Sequence, residues 1–169
     1  PQRRERVFFV CARKDLNLQP LALAPKSRWV SAGEATSDLQ ALTAAELADT
    51  APTETDIKFW HATAQGRGYD DACRVIMGKA SFFAHRKLAQ GFPSDTLTSQ
   101  PHTFTHWAEC RRLTLREWKR LGSFPDDYIA KSDKIGKYMI GMSVPPKMTE
   151  QVARAVCSQW FGVSYGATE

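Results

Sequence analysis

Apolar positions along this chain follow two regimes: one unbroken run near the start, then short stretches at helical spacing separated by Gly and Pro. Val7-Phe8-Phe9-Val10-Cys11 is continuous and rich in β-branched and aromatic side chains, the pattern of a strand covered on both faces. A strand over residues 6–12 needs neighbours, and few other segments of the chain can supply them. The expectation is therefore a sheet completed by residues outside these 169. Residues 15–35 read as irregular, with Pro20, Pro25, Ser27, Ser31 and Gly33. A helix is predicted over 38–49, carrying Leu39, Leu42 and Leu47 and stopped before Pro52. Thr53 with Asp56 marks a further helix start, with Ile57, Trp60, His61 and Ala64 on one face. Gly66 and Gly68 break that helix, a short one is expected at 69–77, and Ser81 to Thr98 reads as short strands and turns.

The clearest local signal lies at 113–122. Thr114 can cap a helix while Glu117, three residues on, returns a bond to the cap amide. Leu113 and Trp118 occupy the two positions of a hydrophobic staple. Gly122 ends the helix and Pro125 prevents its resumption. The stretch that follows reads as a loop through Ile140–Val144, and a final helix starts near Pro145 or Pro146. Met148, Val152, Ala155, Val156 and Trp160 line one face of it, and Gly162 stops it.

Composition bounds the answer without deciding it. Hydrophobic residues make up 43% and charged residues 24% of the chain, enough to fill a core and too balanced for wholesale disorder. The formal charge of +5 permits an anionic partner without demanding one. Cys11, Cys73, Cys110 and Cys157 share no metal-site spacing and read as buried thiols of a reducing compartment. With no run near the ~20 apolar residues of a membrane span and no signal peptide, a cytoplasmic protein is expected, without membrane association.

Candidate chemistry concentrates in the arginines. Gln2, Arg4 and Arg6 alternate and so point the same way, whereas Arg3 and Glu5 point oppositely. Such a set could hold a phosphate, a base edge or a carboxylate, or be a solvated basic terminus. Arg112, Arg116 and Arg120 follow i,i+4 spacing as a basic ridge able to contact a DNA backbone. The alternatives are a soluble face, or Arg116 and Glu117 tying the helix into neighbouring structure. Arg67, between two glycines and beside Tyr69, suits a contact loop. His61, His85, His102 and His106 form no ligand set, so no metal is expected.

Three ordered blocks bear a resemblance. Gln2-Arg3-Arg4-Glu5-Arg6 with the following apolar run resembles the Gln-x-Arg-x-Arg segment and strand of DNA (cytosine-5)-methyltransferases. Arg112-Leu113-Thr114-Leu115-Arg116-Glu117, then Arg120-Leu121 and Phe124-Pro125-Asp126-Asp127-Tyr128, resembles that family's block after target recognition. Ile140-Gly141-Met142-Ser143-Val144-Pro145-Pro146 resembles its last block, with Met142 where Asn is usual. The chain looks like the carboxy-terminal part of such an enzyme. The fold implied is α/β: a partial Rossmann-like, S-adenosylmethionine-dependent methyltransferase fold carrying a mixed α+β target-recognition domain. Residues 1–14 would belong to the catalytic domain and 15–106 to target recognition. Residues 107–169 would return to the catalytic domain.

The resemblance also implies roles. Arg6 is similar to the arginine holding the flipped cytosine at its O2 edge, with Arg4 and Gln2 organising that pocket. Thr96 and Thr98 resemble hydroxyl contacts to the DNA backbone, and Arg112 and Arg116 the anchors of the recognition elements. Gly141, Met142, Ser143 and Val144 resemble the border of the S-adenosylmethionine site. An intact enzyme flips its cytosine and adds a cysteine thiolate to C6 before C5 takes the methyl group. That nucleophile follows proline, a context none of the four cysteines has, and the Gly-rich cofactor loop and Glu-Asn-Val segment are also absent. The partners implied are double-stranded DNA and a missing amino-terminal catalytic half, in cis or as a separate subunit. A restriction–modification setting fits that reading; an inactive DNA-binding or regulatory remnant is the other.

Overall fold

The computed structural model describes residues 1–23 and 28–163; Pro25 and Ser27, read above as irregular, lie outside them. Its elements follow the local signals closely where a cap is encoded. Helices α1 (Ala32–Thr36), α2 (Ala44–Asp49) and α3 (Glu54–Phe59) all start from a hydroxyl N-cap, as does α5 (Leu115–Leu121). In α2, α3 and α5 the capping box is complete: Thr43, Thr53 and Thr114 accept from Glu46, Asp56 and Glu117, whose carboxylates return the bond. Each closes two backbone donors that would otherwise lack partners. Between them α4 spans Tyr69–Met77, matching its predicted bounds. Helix α6 (Asp133–Met142) and helix α7 (Pro146–Phe161) follow, and Gly162 ends α7 in the left-handed region at φ 64°.

The fold is a mixed α+β arrangement. Among the described residues the sheet is a parallel pair, β1 (Arg86–Lys87) and β2 (Phe104–Thr105), with Arg86 opposite Phe104. Two cores hold the described residues together. The larger gathers Ala32, Leu88, Leu97, Phe104, Trp107, Leu113, Trp118, Leu121 and Ile140, so it draws on both sides of position 106. Trp118 is fully buried at its centre, edge-on to Phe104 at 5.7 Å. The smaller packs Phe59, Trp60, Tyr69, Ala72 and Cys73 between α3 and α4.

Several expectations are corrected. Residues 6–12 form no strand: the segment has no regular secondary structure, Val7 is 80% and Phe9 91% exposed, and Cys11 is exposed rather than buried. An apolar run becomes a strand only where another edge takes its amide and carbonyl groups, and no described segment pairs with it. Of the helix expected over 38–49 only Ala44–Asp49 forms, because the Thr43 hydroxyl caps the backbone there, while α1 falls within the stretch expected to be irregular. In the next helix Phe59 and Trp60 face inward while Ile57, His61 and Ala64 are exposed. Helix α3 ends at Phe59, too early for a face extending to Ala64. Ile140–Met142 is the last turn of α6 rather than loop. Gly122 has an ordinary φ of −77° and Ser123 takes the positive φ instead; what Gly122 provides is room, since a Cβ there would lie 2.6 Å from Ile140 Cγ2. The expected face of α7 is only half-buried, tied to the 19–22 segment by Trp160 Nε1 donating to the Gln19 carbonyl and by Gln159.

Candidate nucleic-acid and cofactor interface

The first and last of the resembling blocks meet at residues 94–98. Residues 1–3 run beside Ser94, with the Arg3 amide donating to the Ser94 carbonyl and the Ser94 amide to the Pro1 carbonyl. Gln2 Oε1 accepts from the Leu97 amide at 3.2 Å, and the Thr96 hydroxyl donates to the Arg3 carbonyl. Arg4 is buried. One guanidinium nitrogen donates to the Leu97 carbonyl at 2.6 Å and another to the Gly141 carbonyl at 3.0 Å. Burial first, and then the Arg6 charge, lower its pKa. Gln2 and Arg4 thus share a side, as alternation requires, and both point into the protein.

Arg6 lies on the surface and donates only to its neighbour, the Glu5 carbonyl. Thr98 is exposed, its hydroxyl accepting from the Gln100 amide. Arg67 is exposed on the turn between α3 and α4, where Gly66 takes φ 76°. Gly141 is buried against Thr98: a Cβ on it would fall 2.0 Å from the Thr98 carbonyl oxygen. The outward part of this block is Met142, 61% exposed, with Val144 beside it, while the Ser143 hydroxyl donates to the Met139 carbonyl. Met142 and Val144 thus present an apolar surface, and the Ser143 hydroxyl is committed to Met139.

The basic ridge is not presented freely. Arg112 donates twice to the Ala51 carbonyl, and Arg116 makes a bidentate pair with Glu46. Arg120 bridges Asp38 and Asp126. In addition the segment from Asp38 to Ala51 is held by Lys137, whose ammonium meets Asp49 at 2.6 Å. Of the readings left open for Arg116, the tie into neighbouring structure is the one the geometry shows, although its partner is Glu46.

Glu117 serves a buried pair that spacing did not reveal. Arg111 donates to both its oxygens at 2.8 and 2.9 Å, and the Thr114 amide donates to it at 2.7 Å. Burial raises the Glu117 pKa, but the Arg111 hydrogen bonds and charge outweigh it and the net shift is downward. His106 sits alongside, its Nδ1 accepting from the Ala108 and Glu109 amides. Burial, followed by the Arg111 charge, depresses it to about 4. The signal for this pair was the arginine preceding the block, and nothing in one dimension separates it from Arg112.

Acid should therefore loosen the fold in two stages. His106 falls from its usual 6.5 to about 4, and the Arg116 hydrogen bonds bring Glu46 from 4.5 to about 2. In each case the unfolded chain binds more protons than the folded one across the interval. The stability is complete above the unfolded value and lost as pH falls through the folded one. The urea midpoint should decline from pH 6.5 toward 4, then again from 4.5 toward 2. His106→Gln should flatten the upper stage and leave the lower.

Residues 1–158 match the family described as C-5 cytosine-specific DNA methylase, and the chain belongs to that family. It is 31% identical over 178 residues to Type II methyltransferase M.BbvI of Brevibacillus brevis, covering 98% of this chain and 47% of that protein. It is 27% identical to Type II methyltransferase M.MthTI of Methanothermobacter thermautotrophicus, covering 96% of this chain and 54% of the relative. The chain thus spans about half the length of these two. Type II methyltransferase M.AquIB of Picosynechococcus is 33% identical over 92 residues, 47% of this chain and 66% of that relative, which is itself short. Among the described residues no group of His, Cys, Asp and Glu could hold a metal, and no helix is long and apolar enough to cross a membrane.

Proposed function

We propose that this chain is the carboxy-terminal, target-recognising part of a DNA (cytosine-5)-methyltransferase and transfers no methyl group by itself. The observation carrying this reading is a family match over residues 1–158 in a chain whose four cysteines all lack a preceding proline. A methylase of this kind needs a thiolate placed against the cytosine ring, and that group would come from a catalytic half in cis or on a separate subunit. The short relative M.AquIB supports the second arrangement. Exposed Val7 and Phe9 are then the strand this chain adds to a Rossmann-like sheet.

Within the complete enzyme Arg6 holds the flipped cytosine, with nothing but the Glu5 carbonyl to give up. Exposed Thr98 and Arg67 meet the DNA backbone, with Thr96 beside them, and residues 15–106 read the target. Arg112 and Arg116 act by fixing that region on α5 rather than by phosphate contact. Met142 and Val144 form an apolar border to the cofactor, which supplies the methyl group when bound. The measurement is incorporation of labelled methyl from S-adenosylmethionine into duplex DNA. The purified chain should stay at background and gain activity when mixed with a polypeptide carrying the Pro-Cys and Gly-rich blocks. Incorporation by the chain alone would overturn this assignment.

A further inference from the structure

We propose that Arg4 is a positioning residue that couples the Thr96–Thr98 segment to the Gly141–Val144 turn, so that DNA contact at the first steadies the second. This rests on the reading above, in which the first segment meets DNA and the second borders the cofactor.

The two are in direct backbone contact. Gly141 lies so close to Thr98 that its missing Cβ position is filled by the Thr98 carbonyl, at 2.0 Å. The hydrogen bonds that join the two come from Arg4, in a third part of the chain, which donates to the Leu97 and Gly141 carbonyls. Its planar fork meets Leu97 O at 2.6 Å and Gly141 O at 3.0 Å, bridging positions 93 and 137 residues away. A guanidinium fixes two acceptors at one spacing and angle, which a lysine ammonium on a flexible stem does not. Arg4 is only 7% exposed, and its Nε is buried without a hydrogen-bond partner. The side chain is therefore committed to these two carbonyls. The Arg3 carbonyl receives the Thr96 hydroxyl, and Gln2 receives the Leu97 amide, so three successive residues grip the segment. Displacement of Thr96–Thr98 must move Arg4, and Arg4 carries the end of α6 with it.

The test is hydrogen exchange of the purified chain, read by mass spectrometry, with and without sheared genomic DNA as a mixed-sequence duplex. In the unaltered chain DNA should slow exchange in peptides covering 94–98 and also in 139–144, the second by at least about fivefold, the lower end of measured coupling between sites. In Arg4→Lys the 94–98 protection should persist while that of 139–144 disappears. Gly141→Ala attacks the contact from the other side and should give the same pattern. Peptides of α4 serve as the control for folding. DNA protection of 94–98 without protection of 139–144, or protection of both unaltered in Arg4→Lys, overturns the coupling and leaves DNA recognition standing. Protection of neither segment overturns both.

Discussion

Glu117→Gln is expected to cost about 3–5 kcal/mol, the usual loss when one partner of a buried ion pair is removed. The glutamine keeps the shape and can still accept from the Thr114 amide, so the cap survives. What goes is the charge opposite Arg111, which is 8% exposed and keeps only Glu109, a carboxylate 60% exposed, as a countercharge. Against a whole-domain stability of ~5–15 kcal/mol this is a large share. Arg116→Ala removes an ion pair of equally good geometry, but one whose arginine is one-third exposed, and should cost less than about 1 kcal/mol. Urea titrations followed by tryptophan emission read both, because Trp118 sits next to Glu117 in the larger core. Equal losses would mean that burial of the Arg111–Glu117 pair contributes nothing special.

Arg6→Ala should leave stability within about 0.5 kcal/mol, as befits an exposed side chain with one local bond. In the complemented enzyme it should nonetheless lower turnover by ~10²–10³-fold, the scale seen when a donor to developing charge is deleted. DNA affinity should change far less, since one phosphate-independent contact is a small part of duplex binding. The check is kcat beside the Kd for duplex DNA. Parallel losses in the two would reassign Arg6 to holding backbone phosphate. Arg4 and Arg6 stand two residues apart and look alike in the sequence, yet only Arg6 permits this separation of stability from catalysis.

Local chemistry was legible wherever a short-range interaction decided the outcome. Thr53-Asp56 and Thr114-Glu117 announced capping boxes because both bonds close within four residues. Helix α4 was bounded by glycines, and the Pro146 and Gly162 limits of α7 follow from one fixed and one permissive φ. The expected alternation placed Gln2 and Arg4 on one side but did not extend to Arg6, which lies on the surface. The ordered blocks likewise identified the family, since motif order is a one-dimensional fact.

What needed three dimensions was the assignment of partners. Arg111, Arg112, Arg116 and Arg120 form a single basic cluster on paper. In the fold they serve Glu117, the Ala51 carbonyl, Glu46 and the Asp38–Asp126 pair. Gly141 read as part of a cofactor loop and is a contact point for the Thr98 backbone. The run from Val7 to Val10 has the composition of a buried strand, but burial belongs to whatever pairs with it, and no described segment does. A chain specifies its own torsions and caps through neighbours a few bonds away; which charge meets which, and which apolar face is covered, depends also on segments brought together from 70 to 141 positions apart, because Coulomb and hydrophobic terms act through space and carry no memory of sequence distance.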